Sequence, residues 1–143
     1  MLAYGPMEIP RFHLSICVAD LAATRAFYEG LLGCSPGRTL PHAIDFSFFG
    51  HQLTCHLDPP RVRPADAATL NGNHFGVILP LDEFRRLAAL LGEAKVRFLT
   101  PPHVQHEGTP GARWGMVVAD PSGNAVELKA YGDEAQIFRP AGP

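Results

Sequence analysis

Phe12-His13-Leu14-Ser15-Ile16-Cys17-Val18, followed by Asp20 and a helix-like run, is matched 61 positions later by His74-Phe75-Gly76-Val77-Ile78-Leu79, Asp82 and a second such run. In the first stretch Phe12, Leu14, Ile16 and Val18 alternate with His13, Ser15 and Cys17, the period of two expected of a strand with one apolar face. In the second, Phe75, Val77 and Leu79 alternate with His74, Gly76 and Ile78. Each histidine therefore opens a strand on the side away from the main apolar set. Later, Asp120-Pro121-Ser122-Gly123-Asn124 reads as a turn feeding Ala125-Val126-Glu127-Leu128. Glu127 lies between Val126 and Leu128, so its carboxylate belongs to the opposite face from theirs. Two imidazoles and one carboxylate on equivalent faces of a repeated unit can together hold a divalent metal.

Working outward, Asp20 suits a helix N-cap, Leu21, Phe27, Tyr28, Leu31 and Leu32 form one helical stripe, and Gly33 suits the position just past its end. Ile44, Phe46 and Phe48 alternate with Asp45 and Ser47, and Gly50-His51 marks a tight turn. Leu53, Cys55 and Leu57 then alternate with Gln52, Thr54 and His56, which puts the last three on the side of His13. Residues 58–73 carry Pro59, Pro60, Pro64 and Gly72 without periodicity and are expected to be a linker. In the second half Asp82 is expected to cap a helix whose stripe is Phe84, Leu87, Ala88 and Leu91, and strands are expected from Val96, over Trp114–Ala119 and over Ala125–Tyr131. Both halves are assigned strand–helix–strand–strand–strand. The expectation is one α+β domain over 11–131, with module one about 11–57, module two about 74–131, and terminal tails at 1–10 and 132–143.

At 143 residues, 46% hydrophobic and 18% charged, the chain has the composition of an ordinary globular domain with a real core. A formal charge of −2 with no run of Lys or Arg gives no reason to expect nucleic acid or an anionic membrane as a partner. Apolar runs stop far short of the roughly 20 residues that span a bilayer, and Met1–Pro10 lacks a signal-peptide pattern. Cys17, Cys34 and Cys55 are odd in number and form no Cys-x-x-Cys pair, which argues for buried free thiols in a reducing, cytoplasmic setting.

Taken together, the opening strand with His13, Ala26-Phe27-Tyr28 to Leu32-Gly33, Asn73-His74-Phe75-Gly76, and Asp120-Pro121-Ser122-Gly123-Asn124 before Glu127 resemble the vicinal oxygen chelate superfamily. That superfamily includes glyoxalase I, extradiol dioxygenases, fosfomycin-resistance enzymes and bleomycin-binding proteins. The resemblance covers about Arg11 to Tyr131 and implies two tandem βαβββ modules forming a curved, cup-shaped mixed sheet with helices on its outer face. It puts His13, His74 and Glu127 on the family's metal-ligand positions and implies a homodimer. There are departures. Gln52, Thr54 and His56 stand where glyoxalase-like relatives place a carboxylate, so His56 and Gln52 are read as substrate contacts or a fourth ligand. Met116, Val117 and Val118 occupy the strand where a ring-cleaving dioxygenase would carry tyrosine, and Lys95 replaces a common glycine.

The chemistry implied is that of one divalent ion (Ni, Zn, Mn or Fe) with open positions for adjacent oxygens of a small substrate, stabilising an enediolate-type intermediate. Glu127 is then both ligand and proton shuttle. An Fe(II) extradiol-type dioxygenase and a non-catalytic resistance protein of the bleomycin-binding kind are the alternatives. Pro101 to Arg113 is read as a lid or a solvated hairpin loop, with Arg113 available to pair with an anionic substrate.

Overall fold

The computed structural model describes residues 9–68, 70 and 73–142. Two compact units emerge, Met1–Pro60 and Arg61–Pro143. The first contains β1 (His13–Val18), α1 (Leu21–Arg25) running on into a π-helical turn (Ala26–Leu31), β2 (Ser35–Leu40), β3 (Ala43–Phe48) and β4 (His51–Leu57). The second contains β5 (Phe75–Ile78), α2 (Leu81–Glu93), β6 (Phe98–Gln105), β7 (Arg113–Ala119) and β8 (Ala125–Tyr131). Each unit is thus a βαβββ module whose strands make a four-stranded mixed sheet. The orders are β1-β4-β3-β2 and β5-β8-β7-β6, with the first strand of each parallel to the last. No helix among the described residues is long and apolar enough to cross a membrane.

Alternation decides which face each sheet buries. In the first unit Leu53 and Cys55 of β4 and Phe46 and Phe48 of β3 are buried, and the Tyr28 ring packs 5.6 Å from Phe46 and 6.5 Å from Phe48. Burying each such side chain stabilises by roughly 1.5–3 kcal/mol. Asp20 caps α1 by accepting from the Ala23 N–H at 2.7 Å. Thr24, fully buried, donates its hydroxyl to the Asp20 carbonyl, a back-bond of the kind that bends helices. In the second unit Phe84, Leu87 and Leu91 of α2 are buried, as are Met116, Val118, Val126, Leu128 and Ala130 of the sheet.

Four sequence expectations need correction. Ser35–Leu40 is a strand that alternation does not reveal, because Pro36 and Gly37 break the pattern; an edge strand with a register shift between Pro36 and Thr39 tolerates both. Pro80, not Asp82, occupies the N-cap of α2, and Asp82 sits in the first turn, where its charge favours the helix N-terminus. Part of the segment read as a lid or loop is strand: β6 runs to Gln105 despite Pro101 and Pro102, again as a bulged edge, so the connection to β7 is residues 106–112, with positive φ at His106 and Gly108. Finally, part of the stretch read as a linker docks on the second unit. Ala65 and Leu70 pack against Leu99, Val117, Ala119 and Ala125, and the Ala65 N–H donates to the Gly123 carbonyl at 2.8 Å.

Candidate functional site

Register fixes what shares a face. In the first sheet His13 pairs with Gln52, Ser15 with Thr54 and Cys17 with His56, and across the next ladder Ser47 pairs with Gln52 and Asp45 with Thr54. His13, Gln52 and His56 are therefore on one face, opposite the helix, and all three are exposed. The His13 Nε2 lies 3.5 Å from the Ser15 hydroxyl.

In the second sheet Gly76 pairs with Glu127, Val117 with Glu127, and Arg113 with Tyr131. His74, two residues before Gly76, belongs to the same face, and the structure brings it to Glu127: Nε2 lies 2.9 Å from Oε2. The other ring nitrogen, Nδ1, contacts the backbone carbonyl of Leu70. A carbonyl only accepts, so Nδ1 carries the proton and Nε2 is the nitrogen turned toward Glu127. Both side chains are part-exposed, 33% for His74 and 26% for Glu127, so the pair meets solvent on one side. Arg113 stands on the same face at the start of β7, its Nε donating to Gln105 Oε1 at 2.8 Å.

Two local features position Glu127. The Asp120–Asn124 turn is held by the buried Asp120 carboxylate. Its Oδ1 accepts from the N–H groups of Ser122 and Asn124 and its Oδ2 from the Asn124 amide, each at 2.9 Å. Gly123 takes φ +86°, and a Cβ there would meet Pro64 at 2.6 Å, so only glycine lets residues 64–65 dock on this turn. Gly76 is the second feature. A Cβ at that position would lie 1.7 Å from the Glu127 carbonyl oxygen, so the strand beside Glu127 approaches too closely for any side chain.

These donors suit a divalent metal in kind and spacing. Two ligands at right angles on one ion, with bonds of about 2.1 Å, stand about 3 Å apart, close to the 2.9 Å of the His74–Glu127 contact. A carbonyl holding Nδ1 is the usual outer support of a ligating imidazole. Among the described residues no group of three or more His, Cys, Asp or Glu that could hold a metal is present, and His13 lies in the other unit.

Sequence reasoning passed over Asp45. By register it faces Thr54 as Val117 faces Glu127, so Thr54 occupies in the first module the place of Glu127 in the second. Asp45 is 8% exposed; Thr54 donates its hydroxyl to Oδ1 at 2.7 Å, and Arg38 Nε lies 3.3 Å from Oδ2. Its place between Ile44 and Phe46 gave no signal of burial, since a lone acid on the polar face of a strand is ordinarily solvated. Of the cysteines expected to be buried, Cys34 and Cys55 are, while Cys17 is part-exposed on the face of His13 and His56; burial pushes the Cys34 thiol up to about 11, against a smaller opposing pull from the Phe49 backbone.

Known proteins share this architecture. The chain is 30% identical to a glyoxalase/bleomycin resistance protein/dioxygenase from Alicyclobacillus acidocaldarius, whose crystal structure superposes with a TM-score of 0.79 over 92% of this chain and 100% of that one. A fosfomycin resistance protein, FosX, from Listeria monocytogenes superposes at 0.71 with 18% identity over 92% and 100%, a likeness of fold. Virulence protein STM3117 of Salmonella typhimurium is 22% identical over 119 residues, 83% of this chain and 82% of that protein. The family model described as Glyoxalase/Bleomycin resistance protein/Dioxygenase superfamily matches residues 12–128, and the chain belongs to that superfamily.

Proposed function

We propose that this protein is a metal-dependent enzyme of the glyoxalase type, a lyase or isomerase acting on a small molecule with two adjacent oxygens, with one divalent ion held by His13, His74 and Glu127. The observation that supports this most is the His74–Glu127 contact, with the imidazole set by the Leu70 carbonyl. A divalent ion bound there supplies a Lewis acid for negative charge developing on adjacent substrate oxygens. The chain's own work is orientation and proton handling. Leu70 keeps Nδ1 protonated, so Nε2 offers its lone pair on the Glu127 side. In the metal-bound state Nε2 and a Glu127 oxygen would both be ligands, in place of their direct 2.9 Å contact. The second Glu127 oxygen has no partner among the described residues, which leaves it able to take a proton from substrate carbon and return it to the neighbouring carbon. His13, exposed at the first position of β1, is the proposed third ligand, and two chains are proposed to pair as a homodimer.

Elemental analysis tests the proposal. Purified protein is expected to carry close to one divalent ion per chain, and His74→Ala to carry almost none while keeping its far-UV circular dichroism. Protein that stays metal-free after incubation with Ni, Zn, Mn and Fe(II) in turn would overturn it in favour of a non-catalytic binder. Oxygen uptake with a catechol panel would move the chemistry to a dioxygenase.

A further inference from the structure

The first unit carries a groove of about 570 Å³ that the metal chemistry leaves unused, lined by Arg11, Arg38, Asp45, Ser47, His51 and Gln52 among others. Its volume is that of a small-metabolite site. Two guanidinium groups and one carboxylate leave a formal excess of one positive charge along its walls.

Both arginines have a protein partner in the groove wall. Arg38 Nε lies 3.3 Å from Asp45 Oδ2, and Asp45 is itself fixed by the Thr54 hydroxyl on its other oxygen. Arg11 donates to the Gly50 carbonyl. These contacts use one nitrogen of each fork, leaving the remaining N–H donors for a guest. The His51 Nδ1 accepts the Phe12 backbone N–H at 2.9 Å, so in the neutral ring the proton is on Nε2, one more donor in the groove wall. Gln52, also in the wall, is the register partner of His13 on the neighbouring strand. Donors therefore dominate the lining, and the one buried acid spends both its oxygens on protein partners.

We infer that this groove is an oxyanion site, in which Arg38 and Arg11 receive a carboxylate or phosphate group of a small ligand. Fork-shaped guanidinium donors fit either group, in two-point contact. Asp45 is a positioning residue: it holds Arg38 through Oδ2 while Thr54 occupies its other oxygen. This site is separate from the metal proposal. As an anion site it stands on the groove alone.

The test separates the two. Full-length protein freed of metal by chelation is titrated calorimetrically with inorganic phosphate and, separately, with acetate. Saturable one-to-one binding of at least one anion is expected, and the stronger of the two shows whether phosphate or carboxylate is favoured. Arg38→Ala is expected to weaken it about tenfold or more, as loss of a charge-assisted pair should, and Arg11→Ala to weaken it less. Arg38→Gln combined with Asp45→Asn removes the pair without leaving an unpaired buried carboxylate, and this variant is expected to fold and fail to bind. His74→Ala, which disables the metal proposal, is expected to bind the anion as the parent does. Absence of saturable binding in the parent, or undiminished binding in both Arg38 variants, would sink the site without touching the metal centre.

Discussion

The two units share a plan of strands and differ in what occupies equivalent places. In the second, Glu127 is flanked by Gly76 and Val117, neither of which has a side-chain donor for its carboxylate, and that carboxylate is turned to His74. In the first, Thr54 takes that position between Ser15 and Asp45, and the carboxylate has moved one strand over, where Arg38 and Thr54 neutralise and hold it. One module therefore presents an acid to solvent and an imidazole, while the other sequesters its acid to support a cation. Duplication supplied the scaffold twice, and the pairing of charges on each polar face separated the roles.

The helix ends diverge in the same manner. Gly33 follows the first helix with φ +73°, a conformation glycine adopts at little cost. Lys95 follows α2 with φ +55°, in the left-handed region. The Val96 N–H reaches the Leu91 carbonyl and the Lys95 N–H the Gly92 carbonyl, at 3.2 and 3.1 Å, the paired bonds that close a helix with a left-handed residue. The first module uses glycine there, while the second meets the same geometry with a strained lysine.

The sharpest way to break the contrast is at Gly76 and its counterpart Ser15. Gly76→Ala is expected to cost about 3 kcal/mol or more, because its methyl would collide with the β8 backbone, and to abolish metal uptake by displacing Glu127. Ser15→Ala is expected to stay within about 0.5 kcal/mol. Urea unfolding of both variants checks this, and equal costs would dissolve the asymmetry between the two faces. A smaller effect is expected at the helix ends. Gly33→Ala should destabilise by about 1 kcal/mol, and Lys95→Gly should stabilise by about 0.5–1 kcal/mol by relieving a positive φ. Thermal melts would register the two shifts in opposite directions, and a destabilised Lys95→Gly would mean that the lysine side chain contributes more than its backbone costs. The smallest effect at neutral pH concerns Cys34. Its thiol is held above its ordinary value of 9.0, at about 11, so the folded state binds that proton more tightly than the unfolded chain. The associated stability is present below about pH 9 and falls away as pH rises from there through about 11. Labelling with a thiol reagent at pH 8 should leave Cys34 unmodified until denaturant is added; rapid labelling in the native protein would show that its burial is not maintained.

Much of this was legible from residue order. Alternation around His13, His74 and Glu127 assigned each to the face opposite its helix, and the Asp120–Asn124 turn announced itself through its Asp, Gly and Asn. The edge strand Ser35–Leu40 escaped because its two breakers, Pro36 and Gly37, carry no negative weight where no neighbour needs their hydrogen bonds. Asp45 escaped for another reason: a lone acid in a strand looks solvated until Thr54 and Arg38 are seen around it.

Residue types and their two-residue and three-to-four-residue periods were enough to specify the repeated βαβββ plan, since facing in or out is a local property of a strand or helix. The contacts that give the site its chemistry were not of that kind. The Leu70 carbonyl on His74, the Glu127 carboxylate at its Nε2 and the Arg38–Asp45–Thr54 chain each depend on how separate strands and loops come to rest against one another. Only packing in three dimensions selects those partners, because each of these polar groups could have met water equally well had its neighbour settled elsewhere.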